Sequence, residues 1–276
     1  MPCAHTKSRF VTRQFHKMHG LGNDFVILDG RDDPIAVPPA IARALADRHT
    51  GIGCDQLILI ERSDRADVKM RIWNHDGSEV ESCGNASRCV VALTGAKTIE
   101  TAGGLLHADQ DGADISVTLP EPTFGWADIP IAFPTDTAPL PMAWDGLENG
   151  WAVNVGNPHL VFLVDDTTAV PLGELGPRIE HDPAFPERVN VNVASIGADG
   201  ITLRTWERGA GLTLACGTGA SATAVAAIAA KRVTSPVRVT MPGGALTIGW
   251  EAGEPIRMTG AATHVFSGTI DLEALA

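Results

Sequence analysis

A chain of 276 residues that is 44% hydrophobic and 20% charged has material for one large or two medium domains with a buried core. Its net charge of −12 argues against nucleic acid and anionic membrane as partners, since both need a basic surface, and no run approaches the roughly 20 apolar residues that span a bilayer. Five cysteines at low density, with no apolar secretory core at the start, fit reduced thiols in a cytoplasmic protein. Tyrosine is absent, so acid–base chemistry falls to Cys, His, Asp, Glu, Lys or water.

In chain order, the reading begins with the strand-like run "FVILD" (25–29). It is followed by a helix over "PPAIARALADRH" (38–49), with proline at its start, and by strands "QLILIE" (56–61) and "VKMRIW" (68–73). A short helix, "ASRCVVALTGA" (86–96), begins just after Cys83-Gly84. A Gly-Gly turn and two alternating runs follow it. The Pro-rich stretch "IPIAFPTDTAPLPMAW" (129–144) reads as a connector. Beyond it come strands "LVFLVD" (160–165), "NVNVASI" (190–196) and "ITLRTW" (201–206). An Ala-rich helix, "SATAVAAIAAKR" (221–232), closes with basic residues and begins just after Cys216-Gly217.

The second series repeats the first. Aligning 68–86 with 201–219 without gaps superposes Arg71, Trp73, Cys83 and Gly84 on Arg204, Trp206, Cys216 and Gly217. Asn23 precedes Cys83 by 60 residues, and Asn157 precedes Cys216 by 59. Repetition on this scale defines the architecture. The expected fold is α/β (α+β), with two pseudo-symmetric domains, each a curved sheet or barrel around a central helix, and the site in the cleft between them. Expected boundaries are an extension at 1–14, domains at 15–128 and 129–262, and a segment at 263–276 that packs back on the first domain.

Cysteines at two helix starts suit one chemistry. Unpaired N–H groups at a helix N-terminus favour a thiolate and also receive a carboxylate, and glycine after the cysteine lets backbone approach a ligand. Two such thiols on opposite sides of one α-carbon supply the base and the acid that its inversion needs. No lysine sits in a pyridoxal motif, so no cofactor is expected. A metal site from His75, Cys83 and Cys89 lacks the close CxxC pairing of structural zinc, so no metal is expected. Cys3, Cys54 and Cys89 read as a terminal, a turn and a core residue.

The motifs "KMHGLGNDF", "RIWNHDGSEVESCGNASRC", "VGNPH", "FPERVNVN" and "WERGAGLTLACGTGAS" resemble, in order and spacing, those of the diaminopimelate epimerases, from about Phe15 onward. The resemblance implies cofactor-free interconversion of LL- and meso-diaminopimelate by proton-transfer residues Cys83 and Cys216. It assigns the reacting carboxylate to Gly84, Asn85, Gly217 and Thr218, and the distal end to Asn74, Asn157, Asn190 and Arg208. Glu207 matches the contact to the reacting amino group, His159 a residue that tunes the thiols, and Asn23 and Gln56 further substrate contacts. It also implies a homodimer, although Phe266 stands where some relatives carry a tyrosine at that interface. Trp206 and Leu212 stand where many have tyrosine and glutamate, and Ala86-Ser87 where Gly-Ala is common. The rival readings are a proline or hydroxyproline racemase, which would leave the distal-end set without a partner, a thiol redox protein that bridges Cys83 and Cys216, and a binding module that has no use for the thiols.

Overall fold

One order of elements occurs twice. The structure, a computed structural model, describes residues 12–81 and 83–275, so Cys3 and most of the 1–14 extension lie outside it. The first half runs β1 (Thr12–Gly20), β2 (Asn23–Asp29), α1 (Pro39–Ala46), β3 (Gln56–Glu61), β4 (Val68–Asn74), β5 (Glu79–Val80), α2 (Gly84–Thr94), β6 (Thr98–Thr101), β7 (Gly104–Asp111) and β8 (Asp114–Leu119). The second runs β9 (Trp151–Asn154), β10 (Pro158–Leu163), α3 (Leu172–Glu180), β11 (Asn190–Gly197), β12 (Gly200–Glu207), β13 (Gly211–Thr213), α4 (Gly217–Ala229), β14 (Val237–Met241), β15 (Gly244–Gly249) and β16 (Ile256–Gly260). A last strand, β17 (Thr263–Asp271), pairs antiparallel with β1.

The pairings repeat with the elements. β2–β3 and β10–β11 are parallel, β3–β4 and β11–β12 antiparallel, and the crossovers β4–β6 and β12–β14 parallel again. Register repeats too: Leu57 lies opposite Trp73, and Val191 opposite Trp206. The halves join where β8 runs antiparallel to β16, with Val117 facing Met258.

Each half curls around its own helix. Ala86, Cys89, Val90 and Val91 of α2 pack among Phe25, Ile58, Ile72 and Ile99. The Ala-rich α4 is buried on almost every side, among Val153, Leu203, Val239 and Ile248. Small side chains all round suit a helix with no solvent face. Helices α1 and α3 cover the outer faces of the two halves. Burial of side chains such as Phe25 and Phe162 contributes about 1.5–3 kcal/mol each.

Three local details differ from the sequence reading. Helix α3, "LGELGPRIE", forms despite two glycines and an internal Pro177, because Leu172, Leu175 and Ile179 are buried on its inner face. Helix α4 stops at Ala229 and Lys231 takes a left-handed φ of 56°, so the basic residues lie beyond the helix end. The Pro-rich connector is not free chain: Ile129, Ile131 and Leu140 are buried in the layer under α3. Among the described residues no helix is long and apolar enough to cross a membrane.

Candidate active site

Strand–turn–helix geometry presents both cysteines. Each is the N-cap of its helix, in extended backbone, with glycine at the first helical position. The two helix starts meet across one side chain. A Cβ on Gly84 would lie 2.4 Å from Met258 Cε, and one on Gly217 would lie 3.1 Å from Met258 Sδ and 3.8 Å from Asn85 Oδ1. Met258 is fully buried between them. A side chain at Gly84 would displace the end of Met258 and one at Gly217 would press on it, so glycine keeps both helix starts open to close approach.

The two thiols have different neighbours. Cys216 Sγ donates to Glu207 Oε2 at 3.1 Å, accepts from Gly219 N–H at 3.3 Å, and lies 3.5 Å from Thr218 Oγ1. Burial raises its pKa well above the ordinary thiol value, and the Glu207 charge raises it further. Glu207 is held in turn by the Thr213 hydroxyl at 2.5 Å. Cys83 receives no cap bond. Its nearest side-chain acceptor is Asn23 Oδ1, at 3.8 Å. Burial holds its pKa above the ordinary thiol value, against the lowering effect of the Ala86 and Asn85 backbone N–H groups and of the Arg88 charge, and Glu207 raises it further. Glu207 thus bears on both thiols. Cys54 and Cys89 are buried, and desolvation pushes their pKa values up to about 11 and about 12.

On the first-half side, Asn23 accepts from Asn85 Nδ2 at 3.3 Å and gives its own Nδ2–H to Asp55 Oδ2 at 3.1 Å. Asp55 also takes the backbone N–H of Asp24 and pairs with Arg48. That anchorage points the Asn23 carbonyl toward Cys83. Gln56 and Asn74, opposite each other on β3 and β4, bond at 3.0 Å, and Asn74 reaches Ser78 at 3.2 Å. Gln56 Oε1 is buried and has no hydrogen-bond partner among the described residues, so an acceptor stands ready for a donor from outside.

On the second-half side, a chain of polar groups runs to Cys216. Thr205 Oγ1–H donates to Asn192 Oδ1 at 3.0 Å, and Asn192 Nδ2–H to His159 Nδ1 at 3.0 Å. His159 Nε2–H donates to Asn157 Oδ1 at 2.9 Å, and Asn157 Nδ2–H to Thr218 Oγ1 at 3.4 Å. The Asn192 contact assigns the imidazole tautomer: Nδ1 accepts and Nε2 carries the proton. Complete burial, with the Arg208 charge adding to it, lowers the His159 pKa to about 3, so the ring is neutral. His159 bonds to neither thiol. Asn190 donates to Pro158 O at 2.8 Å and accepts from Arg208 N–H at 2.9 Å, which fixes the 207–211 turn. The exposed Arg208 side chain reaches Glu187 O at 2.9 Å.

Four further residues shape these groups without standing out in the sequence. Asp55 orients Asn23, and Asn192 fixes the His159 tautomer. Buried Glu180 holds Trp206 Nε1 at 2.7 Å and Gly209 N at 2.9 Å, bracing the turn that carries Glu207 and Arg208. Met258 is the wedge between the helix starts. Of these, only Asn192 lies within one of the motifs, at the end of "FPERVNVN", and Asp55 is next to the expected contact Gln56.

Fold and site together define a two-lobed protein with one helix-borne cysteine per lobe turned to a shared junction. Solved structures share that fold at low identity. They include a hydroxyproline epimerase from Agrobacterium vitis (TM-score 0.66, 18% identity, 94% of this chain and 91% of that chain) and a PhzF-family phenazine biosynthesis protein from Bacillus anthracis (0.67, 15%, 94% and 99%). The sequence profile of the family described as diaminopimelate epimerase matches residues 15–121 and 151–265. Diaminopimelate epimerases from Sphingopyxis alaskensis and Rhizorhabdus wittichii are 62% and 61% identical to this chain, covering 94% and 95% of it and 97% and 96% of their own lengths. The chain belongs to the diaminopimelate epimerase family.

Proposed function

We propose that the protein interconverts LL- and meso-diaminopimelate by proton transfer at one α-carbon, a step toward lysine and peptidoglycan precursors. The observation that carries this reading is the meeting of two Cys-Gly helix starts across Met258, with Glu207 bearing on both thiols. One cysteine, as thiolate, takes the α-proton. The other, as thiol, returns a proton to the opposite face. A C–H bond is exchanged for an S–H bond and an S–H for a C–H, so nothing is oxidised or reduced and no cofactor enters the balance.

The helix-start amides at Gly84–Asn85 and Gly217–Thr218 hold the reacting carboxylate, where fixed dipoles stabilise the carbanionic transition state without reorganising. Glu207 receives the reacting ammonium group. Asn74, Asn157, Asn190, Arg208 and Gln56, with its unpaired Oε1, serve the distal ammonium and carboxylate, groups that proline and hydroxyproline lack. Asn23 lies over Cys83, and His159 acts on Cys216 through Asn157 and Thr218. The halves 15–128 and 129–262 serve as two domains that close on the substrate. The enzyme works in the cytoplasm as a homodimer.

The test is incubation of the reduced protein with LL-diaminopimelate in deuterated water, following the α-proton by NMR. Loss of that signal with growth of the meso isomer is the expected result. Cys83→Ala and Cys216→Ala each abolish the interconversion. A folded, reduced protein that exchanges no α-proton would remove the substrate assignment.

A further inference from the structure

Arg88 on α2 is fully buried, and among the described residues none of its partners is a carboxylate. Its side chain folds back toward the helix start, as helical side chains do. Nη2–H donates to Asn85 Oδ1 at 2.7 Å, and Nη1–H to Gly84 O at 3.4 Å and Met258 Sδ at 3.7 Å. Nε–H donates to Ala261 O at 3.4 Å. A Cβ on Gly20 would sit 3.1 Å from Nη2, so the guanidinium is enclosed from the β1–β2 hairpin as well. A buried cation without an anion is strongly destabilising. Among the described residues, then, the Arg88 guanidinium is turned to the helix start that carries Cys83 and not to a carboxylate.

The internal repeat sets this charge against its counterpart in the other half. Cys83 and Cys216 differ by 133 positions, so the counterpart of Arg88 is Ser221 (88 + 133), which only returns its hydroxyl to Gly217 O at 2.9 Å. The counterpart of Glu207 is Asn74 (207 − 133), an amide. The first half thus keeps a cation where the second has a hydroxyl, and the second keeps an anion where the first has an amide. The charged or titratable groups bearing on Cys83 are Arg88 and Cys89 of α2 and Glu207 of β12.

We infer that Arg88 is a positioning residue that places fixed positive charge behind Cys83, opposite the fixed negative charge of Glu207 beside Cys216, so that Cys83 is the first of the two thiols to ionise. This rests on the two-thiol reaction proposed above. The Asn85 bond adds a second effect, holding the turn that receives the reacting carboxylate in the orientation that the same cation favours.

The test is alkylation of the substrate-free protein by iodoacetamide across a pH series, with Cys83 and Cys216 followed separately by peptide mass. In the unaltered protein Cys83 reacts at lower pH than Cys216. Arg88→Met moves the Cys83 profile up by about one to two pH units, the range for loss of a neighbouring opposite charge. Arg88→Lys, which keeps the charge, restores most of that shift, and the acid limb of kcat/KM moves with the Cys83 profile. If Cys216 reacts first in the unaltered protein, the assignment is overturned, and this holds even if Arg88→Met does not fold. A folded Arg88→Met protein with an unmoved Cys83 profile overturns it equally. Absence of α-proton exchange in the unaltered protein, with the alkylation order as expected, would instead sink the substrate reading and leave the charge arrangement standing.

Discussion

Met258 offers the sharpest check on the geometry of the junction. A methyl added by Gly84→Ala would lie 2.4 Å from Met258 Cε, where carbon atoms need about 3.5–4.0 Å. The methionine must retreat by more than 1 Å, and overpacking of this kind costs about 1–3 kcal/mol. Met258→Ala removes a fully buried side chain and costs about 2–5 kcal/mol. In the double variant the new methyl enters space that the methionine has left. Its total cost should therefore fall short of the sum by about 1–2 kcal/mol, within the usual coupling range for residues in contact. Urea denaturation of the four proteins measures this directly, and α-proton exchange run in parallel reports the site. Each single variant should slow exchange, and the double variant should be no slower than Met258→Ala alone. Costs that add to within about 0.5 kcal/mol would mean that Gly84 and Met258 do not touch. The meeting of the two helix starts, on which the reading of the site rests, would fall with them.

Two further outcomes follow from the charges described. Glu207→Gln removes the carboxylate that raises the Cys216 pKa, so Cys216 alkylation should shift to lower pH by about 1–3 units while turnover falls by about 100-fold or more; an unmoved Cys216 profile would discount the contact. His159 is buried and neutral with a pKa lowered to about 3, whereas the unfolded chain binds that proton near 6.5, so below pH 6.5 the unfolded state holds more protons. Its contribution to stability is full above that pH and is lost as pH falls from about 6.5 toward 3, reaching up to about 4 kcal/mol. His159→Gln, which keeps an acceptor and a donor, should flatten the denaturation-midpoint profile in that window, and a slope equal to that of the unaltered protein would refute the account.

The parts of the fold legible in the sequence were those with local period or internal repetition. Strands such as Gln56–Glu61 and Val68–Asn74 are short apolar runs bounded by turn residues, and the two Cys-Gly helix starts announce themselves twice. Helix α3 was not legible, because Gly173, Gly176 and Pro177 cancel local propensity and only packing against the sheet forms it. The connector read as loop because prolines dominate it, while the few apolar residues that anchor it find their partners in other elements. At the site, residues lying in motifs could be named one by one. Their supports could not. Asp55 lies 32 positions from Asn23, Glu180 lies 26 from Trp206, and Met258 lies 170 from Arg88. Contacts of that separation leave no periodic trace. Arg88 lies within a motif, but only its surroundings show that it is buried with no carboxylate partner among the described residues.

The antiparallel pair β8–β16 carries an implication about descent. Its register, Ile115 opposite Gly260 through Leu119 opposite Ile256, joins two strands that occupy the same place in their respective repeats. A strand laid against its own counterpart in opposite sense is the contact that a twofold axis makes between identical chains. The molecule therefore has the form of a symmetric dimer drawn into a single polypeptide. Two identical subunits would be bound to present the same groups to both thiols. One continuous chain is free of that bond, and here the freedom has been used: arginine and asparagine in one lobe stand against serine and glutamate in the other.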